Sequence, residues 1–137
     1  MKSSVVQRLS RVDYLISKLK SSQDVGAIVV FVGSVRGTRE KERVLRLYYE
    51  AEVDLANEAL MRIAADLREK YGITDAIVEH RVGTVEVGEQ TMQAVIASKH
   101  REEGFQALVE LVNRVKHEVP IWKKEITDKG SYWIENS

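Results

Sequence analysis

Lys99-His100-Arg101 opens one amphipathic stretch of the 137-residue chain, and Lys116 and Val119-Pro120-Ile121-Trp122-Lys123-Lys124-Glu125 stand at its far end. Cationic side chains gathered around a Trp and the only proline, in a chain whose 21 Lys and Arg are balanced by 21 Asp and Glu, point to a local site for an anion. The planar fork of arginine matches phosphate oxygens, which makes Arg36 and Arg101 natural anchors. Lysines close to one another lower each other's pKa, so either Lys116 or Lys123 could move a proton near neutral pH. A second candidate is Gly33-Ser34-Val35-Arg36-Gly37, at the end of a β-branched run, which could offer backbone N–H groups and a guanidinium to an anion. It lacks the spacing and the GKS or GKT ending of a P-loop, and no dinucleotide fingerprint is present.

Each of these residues also has a structural explanation. Arg101 lies four residues before Phe105 and Lys116 four after Val112, on or beside an apolar stripe, where long side chains bury their methylenes and send their charge to water. His100 can simply start a helix, His80 can make a structural hydrogen bond at a strand end, and His117 suits the dipole of a helix's last turn. The three histidines form no His-x-x-x-His pair and have no acidic cluster at ligand spacing, so no metal site is expected. Trp122 is expected to be half core and half pocket wall. The mixed-charge segment 37–43 reads as solvated surface.

The composition narrows the function classes. Zero net charge removes the broad basic field that non-specific nucleic-acid binding needs. No apolar run approaches the ~20 residues of a membrane span, and the start carries no secretory h-region, so a cytoplasmic protein is expected. The absence of cysteine excludes disulfides, thiolate nucleophiles and thiol-ligated metals. Any sulfur chemistry must use sulfur brought by another molecule.

The elements that must position these residues follow from periodicity. Val12, Leu15, Ile16 and Leu19 predict a helix over about 8–20, and Gly26–Gly33 predicts a central buried strand. An exposed loop over about 36–42 leads to a strand at about 44–50, and a helix over about 53–70 ends at Gly72. Strands follow at about 74–82 and 91–98, with a short alternating piece around 84–87 between them. Phe105, Leu108, Val109, Val112 and Val115 predict the core stripe of a third helix, which Pro120 stops. Strands near 121–127 and 131–134 close the chain. The order fits a single α+β domain over 1–137, with an N-terminal helical segment over 1–25 and three main helices on one side of a mostly antiparallel sheet. Along the third helix, Arg101 and Lys116 are 15 residues apart, or about 22 Å at 1.5 Å per residue. One small ligand held by both would need His100 and Arg101 from one protomer and Lys116 and Lys123 from another.

The blocks GAIVVFVGSVRG (26–37), LYYEAEVDLANEAL (47–60), HRVGTVEVGE (80–89), ASKHREEGF (97–105) and VKHEVPIWKKE (115–125), followed by Trp133, resemble the large, catalytic subunit of molybdopterin synthase. The resemblance implies an α/β hammerhead fold and a heterotetramer built on a central dimer of large subunits. It implies a sulfurtransferase of molybdenum cofactor biosynthesis that converts cyclic pyranopterin monophosphate (precursor Z) to molybdopterin. The two dithiolene sulfurs would come from the thiocarboxylated Gly-Gly terminus of a small ubiquitin-like partner. Carried over residue by residue, Lys116 and Lys123 would be catalytic, and Ser34, Val35, Arg36, His100, Arg101, Lys124 and Glu125 would join them in binding substrate. Neither a metal nor a resident cofactor is implied. A non-catalytic alternative is a module that docks a partner's extended tail by strand addition along Val119–Glu125. Nucleic-acid binding through Trp122 and the tyrosines is disfavoured by the charge balance.

Overall fold

The structure is a computed structural model and describes residues 2–20 and 22–135. In chain order its elements are β1 (Ser4–Val6), α1 (Val12–Leu19), β2 (Ala27–Ser34), β3 (Thr38–Arg39), β4 (Glu42–Ala51), α2 (Val53–Tyr71), β5 (Asp75–Arg81), β6 (Gly83–Glu86), β7 (Gln90–Ser98), α3 (Arg101–Glu118), β8 (Ile121–Thr127) and β9 (Gly130–Ile134). One sheet has the order β1-β5-β7-β2 and the other β3-β4-β8-β9, with β6 also on β4. Among the described residues only the β1–β5 pairing is parallel. The expected α+β class with a mostly antiparallel sheet is what the chain adopts.

Successive strand residues point to opposite faces, and β5 and β7 use both faces for core. Ala76 and Val78, with Met92, Ala94 and Ile96, meet Leu60, Ile63 and Leu67 of α2 and Leu111 of α3. Ile77, Val95 and Ala97 meet Leu15 and Leu19 of α1 on the other side. The expectation of helices on one side is therefore corrected: α1 covers one face, α2 and α3 the other. The segment before residue 25 is also more than helical. β1 pairs with β5 and is held by Asn57, whose Oδ1 accepts from Val5 N at 2.8 Å. Ser10 then donates to buried Glu79 through both its N (2.8 Å) and its Oγ (2.7 Å).

β2 is an edge strand rather than a central one. It pairs only with β7, and Val30 and Val32 are 37% and 38% exposed. The third helix turns a different face to the core than its large apolar residues suggest. Phe105 and Val109 are 56% and 64% exposed, whereas Gly104, Ala107, Leu111 and Val115 are buried. Small residues let α3 approach the sheet: a Cβ on Gly104 would stand 2.7 Å from Ser98 Oγ and 3.0 Å from Val29 Cγ2. Gly72 closes α2 as expected, in the left-handed conformation at φ 67°, with its N–H bonded to Arg68 O. β8 lies between β4 and β9, and β9 covers it from Lys123 to Thr127. Strand addition along Val119–Glu125 is thereby blocked over the part that carries the charges.

Candidate active site

A cavity of about 420 Å³ opens at the seam where the two sheets meet the last turn of α3. Its cations come from four places: Arg36 after β2, Arg39 on β3, Lys116 on α3 and Lys123 on β8. The register explains the last of these. On β8 the side chains of Ile121, Lys123 and Glu125 alternate into the cavity, with Lys123 opposite Tyr49 and Glu125 opposite Leu47 of β4. Four cations face one carboxylate, and that carboxylate is engaged: Glu125 is buried, with Oε1 3.3 Å from Arg39 Nε. Arg39 also lies 3.8 Å from Glu42 and 5.4 Å from the centre of the Tyr132 ring. Such a wall favours a ligand with more than one negative oxygen.

Burial lowers the pKa of Lys123, and the positive charge of Lys116 lowers it further, with Arg36 and Arg39 adding to the effect and Glu125 opposing it. The part due to Lys116 is the influence of one lysine on another that clustering predicts, and burial exceeds it. Deeper in, His80 and Tyr49 meet edge to face, with ring centroids 4.8 Å apart at 75°. Burial pushes the imidazole of His80 down to about 4; its bond to the Arg81 carbonyl opposes this, and Lys116 and Lys123 lower it further. Burial likewise pushes the Tyr49 phenol up to about 12. The inner end of the cavity is therefore uncharged and its outer part cationic.

Of the residues singled out in the sequence, Ser34, Val35, Arg36, Lys116, Lys123 and Glu125 line this one cavity. The structure leaves three predicted residues outside. Lys124 points to the opposite face of β8, where its Nζ lies 5.7 Å from the Trp133 ring centre. His100 and Arg101 stand at the N-terminal end of α3, which runs unbroken from Arg101 to Glu118, about 22 Å from Lys116. Their nearest charged groups are local, Glu103 at 3.7 Å from His100 and Glu102 at 3.9 Å from Arg101. Val35 does reach the cavity, but its N–H is bonded to Glu89 O at 3.0 Å, so this amide is not available to an anion. Trp122, at 52% exposed, borders a different cleft with Tyr48 and Arg81.

Sequence reasoning missed Arg39, Tyr49, His80 and Thr91 as cavity residues. Arg39 sat within a charge run that reads as surface, yet it pairs into β3 beside β4. His80 was assigned a structural hydrogen bond, and its Nδ1 does lie 2.8 Å from Arg81 O. Only the fold reveals that the same ring lines the cavity. Among the described residues no group of three or more His, Cys, Asp or Glu is placed to hold a metal ion.

The model of the MoaE protein family matches residues 6–118. The molybdopterin synthase catalytic subunit of Pyrococcus abyssi is 43% identical over 117 residues, which are 85% of this chain and 79% of that protein. That of Bacillus subtilis is 37% identical over 119 residues, 87% of this chain and 76% of that protein. The crystal structure of molybdopterin synthase from Staphylococcus aureus superposes with a TM-score of 0.90 at 30% identity over 98% of both chains. A Helicobacter pylori complex of subunits 1 and 2 of molybdopterin-converting factor shares the fold at a TM-score of 0.75 and 20% identity, over 95% of this chain and 88% of that one. With the family's sequence pattern across most of its length and the same fold from end to end, the chain belongs to the family of molybdopterin synthase catalytic subunits.

Proposed function

We propose that the cavity receives precursor Z together with the thiocarboxylated tail of a small ubiquitin-like subunit, and that the chain catalyses sulfur transfer from that tail to form the dithiolene of molybdopterin. The observation that carries this reading is the convergence of Arg36, Arg39, Lys116 and Lys123 on one cavity of pterin size, opposed by a single, already paired carboxylate. As a thiocarboxylate sulfur bonds to a substrate carbon, the C–O bond broken at that carbon leaves its electron pair on oxygen, where the ammonium groups of Lys116 and Lys123 stabilise it; water then cleaves the thioester, leaving sulfur on the substrate and a carboxylate on the tail. Lys123 is the better proton donor of an ordinary lysine's type, because burial and Lys116 have already weakened its hold on the proton. The chain contains no cysteine, which accords with an external sulfur source.

His100 and Arg101 enter this reading through a second copy of the chain. The length of α3 keeps them from the cavity of their own protomer, and a two-fold dimer would let them reach the partner's cavity and grip the cyclic phosphate. Lys124 is then a surface residue rather than a substrate ligand. Among the described residues no helix is long and apolar enough to cross a membrane. The proposed setting is the cytoplasm.

The test is conversion of precursor Z to molybdopterin by this chain with a thiocarboxylated small subunit, run beside the same subunit carrying a plain carboxylate. Product with the thiocarboxylate alone supports the reading. Association of the two proteins without product in either case would reduce the chain to a tail-binding module.

A further inference from the structure

The charged groups of the cavity explain how an anion is held, but they say nothing about which way round a heterocycle lies. Arginine and lysine only donate hydrogen bonds, and the Glu125 carboxylate, whose Oε1 forms an ion pair with Arg39 Nε at 3.3 Å, stands among the cations rather than at the inner end. A fused-ring ligand with several N–H groups, pressed into a half-buried site, needs an acceptor for at least one of them, since a buried donor left unpaired is costly. Few candidates remain at the inner end. The Tyr49 hydroxyl is turned to Thr91, and both hydroxyls can donate as readily as accept.

His80 differs from both. Its Nδ1 lies 2.8 Å from the carbonyl oxygen of Arg81, and a carbonyl can only accept, so Nδ1 carries the hydrogen. The uncharged ring then has a bare lone pair at Nε2, the ring nitrogen left to accept a hydrogen bond. The Tyr49 ring, packed against the imidazole at 75°, restricts its plane. The residue is 8% exposed, and the cavity is the opening it lines. The groups facing it are Tyr49, Lys116 and Lys123, none of which would stabilise a proton on it. An imidazole in these surroundings is a poor base and remains a neutral acceptor.

We infer that Nε2 of His80 accepts a hydrogen bond from an N–H of the substrate's pterin ring, and so orients the ring with its phosphate-bearing end toward the cations. This rests on the pterin reading above and makes His80 a positioning residue that discriminates a pterin from a bare polyanion.

The chemistry of amide side chains supplies the test. His80→Asn keeps a donor near Nδ1 for the Arg81 carbonyl and has nothing at Nε2; His80→Gln can place an amide oxygen near Nε2. Binding of precursor Z and of inorganic pyrophosphate would be measured on the complex with the plain-carboxylate small subunit, beside His80→Phe, which keeps a ring against Tyr49. The expected result is about 10- to 100-fold weaker binding of precursor Z in His80→Asn and His80→Phe, the range of one lost buried hydrogen bond, with His80→Gln near the unsubstituted protein. Pyrophosphate binding should stay within about twofold throughout, because it engages only the cations. If His80→Phe does not fold, the Asn and Gln pair carries the comparison. Equal precursor Z affinity in all variants overturns the inference, as does a parallel loss of pyrophosphate, which marks a merely structural residue. An unsubstituted complex that fails to retain precursor Z overturns the functional reading itself, and this inference with it.

Discussion

Acidification is expected to destabilise this protein through one identifiable group. The His80 imidazole titrates near 6.5 when the chain is unfolded and at about 4 when folded. Between those values the unfolded chain binds the proton and the folded one does not, so stability falls as pH falls. The contribution is fully present above pH 6.5, and its loss is complete below about 4. At ~1.4 kcal/mol for each tenfold change in proton affinity, the whole gap corresponds to about 3 kcal/mol, a large part of the ~5–15 kcal/mol that holds a typical domain together. Linkage gives a loss of about 1 kcal/mol between pH 7.5 and 5.5, and most of the remainder by pH 4.5. The assay is urea unfolding of the unsubstituted protein and of His80→Gln at these three pH values. Carboxylates elsewhere titrate alike in both proteins and cancel in the difference. Two stability curves that run parallel from pH 7.5 to 4.5 would refute the idea that the fold holds His80 uncharged.

Other outcomes follow from the same geometry. Lys116→Ala and Lys123→Ala are each expected to cut molybdopterin formation by about 10²-fold or more with the melting temperature nearly unchanged, the scale of losing a group aimed at developing charge; near-normal turnover in both would remove them from the mechanism. Arg101→Ala and Lys123→Ala, each inactive alone, are expected on mixing and subunit exchange to regain about a quarter of the unsubstituted activity, because half the dimers are hybrids with one intact composite site. No recovery would show that Arg101 serves its own protomer's site or none. Gly104→Ala places a methyl group 2.7 Å from Ser98 Oγ. The overpacking cost of about 1–3 kcal/mol is expected to exceed the ~1 kcal/mol gain in helix propensity, giving a lower melting temperature.

The sequence located the helices and strands where one face was sustained over several turns or residues. The stripe Ala56, Ala59, Leu60, Ile63, Ala64 and Leu67 in α2 is buried throughout. It failed where the decision lay elsewhere in the chain. β1 is three residues long, and nothing local marks it, because its reason to exist is the parallel pairing with β5 some 75 residues on. β2 and β7 are both rich in apolar and β-branched residues, yet only β7 has strand neighbours on both sides. In α3 the larger apolar residues Phe105 and Val109 misdirected the reading, since the closest packing is made by Gly104 and Ala107, which hydrophobicity barely registers. The same division holds at the cavity. Lys116 and Lys123 were legible because cations beside an apolar helix and a Trp need a reason. Arg39 looked like any other charge in a mixed run, and His80 revealed its hydrogen bond but not the space beside it.

The walls of the cavity are drawn from β2, β3, β4, β5, β7, α3, β8 and β9, so its contributors run from Phe31 to Ile134. No hairpin or helix pair could assemble even half of it by local folding. The complete site therefore exists only once both sheets and α3 have come together. Conversely, whatever fills the cavity ties both sheets to α3 and stabilises the whole molecule. A ligand present at 100 times its dissociation constant would add about 2.7 kcal/mol to global stability. In the cell, substrate supply would thus set the lifetime of the protein as well as its workload, with idle copies the first to meet the proteases.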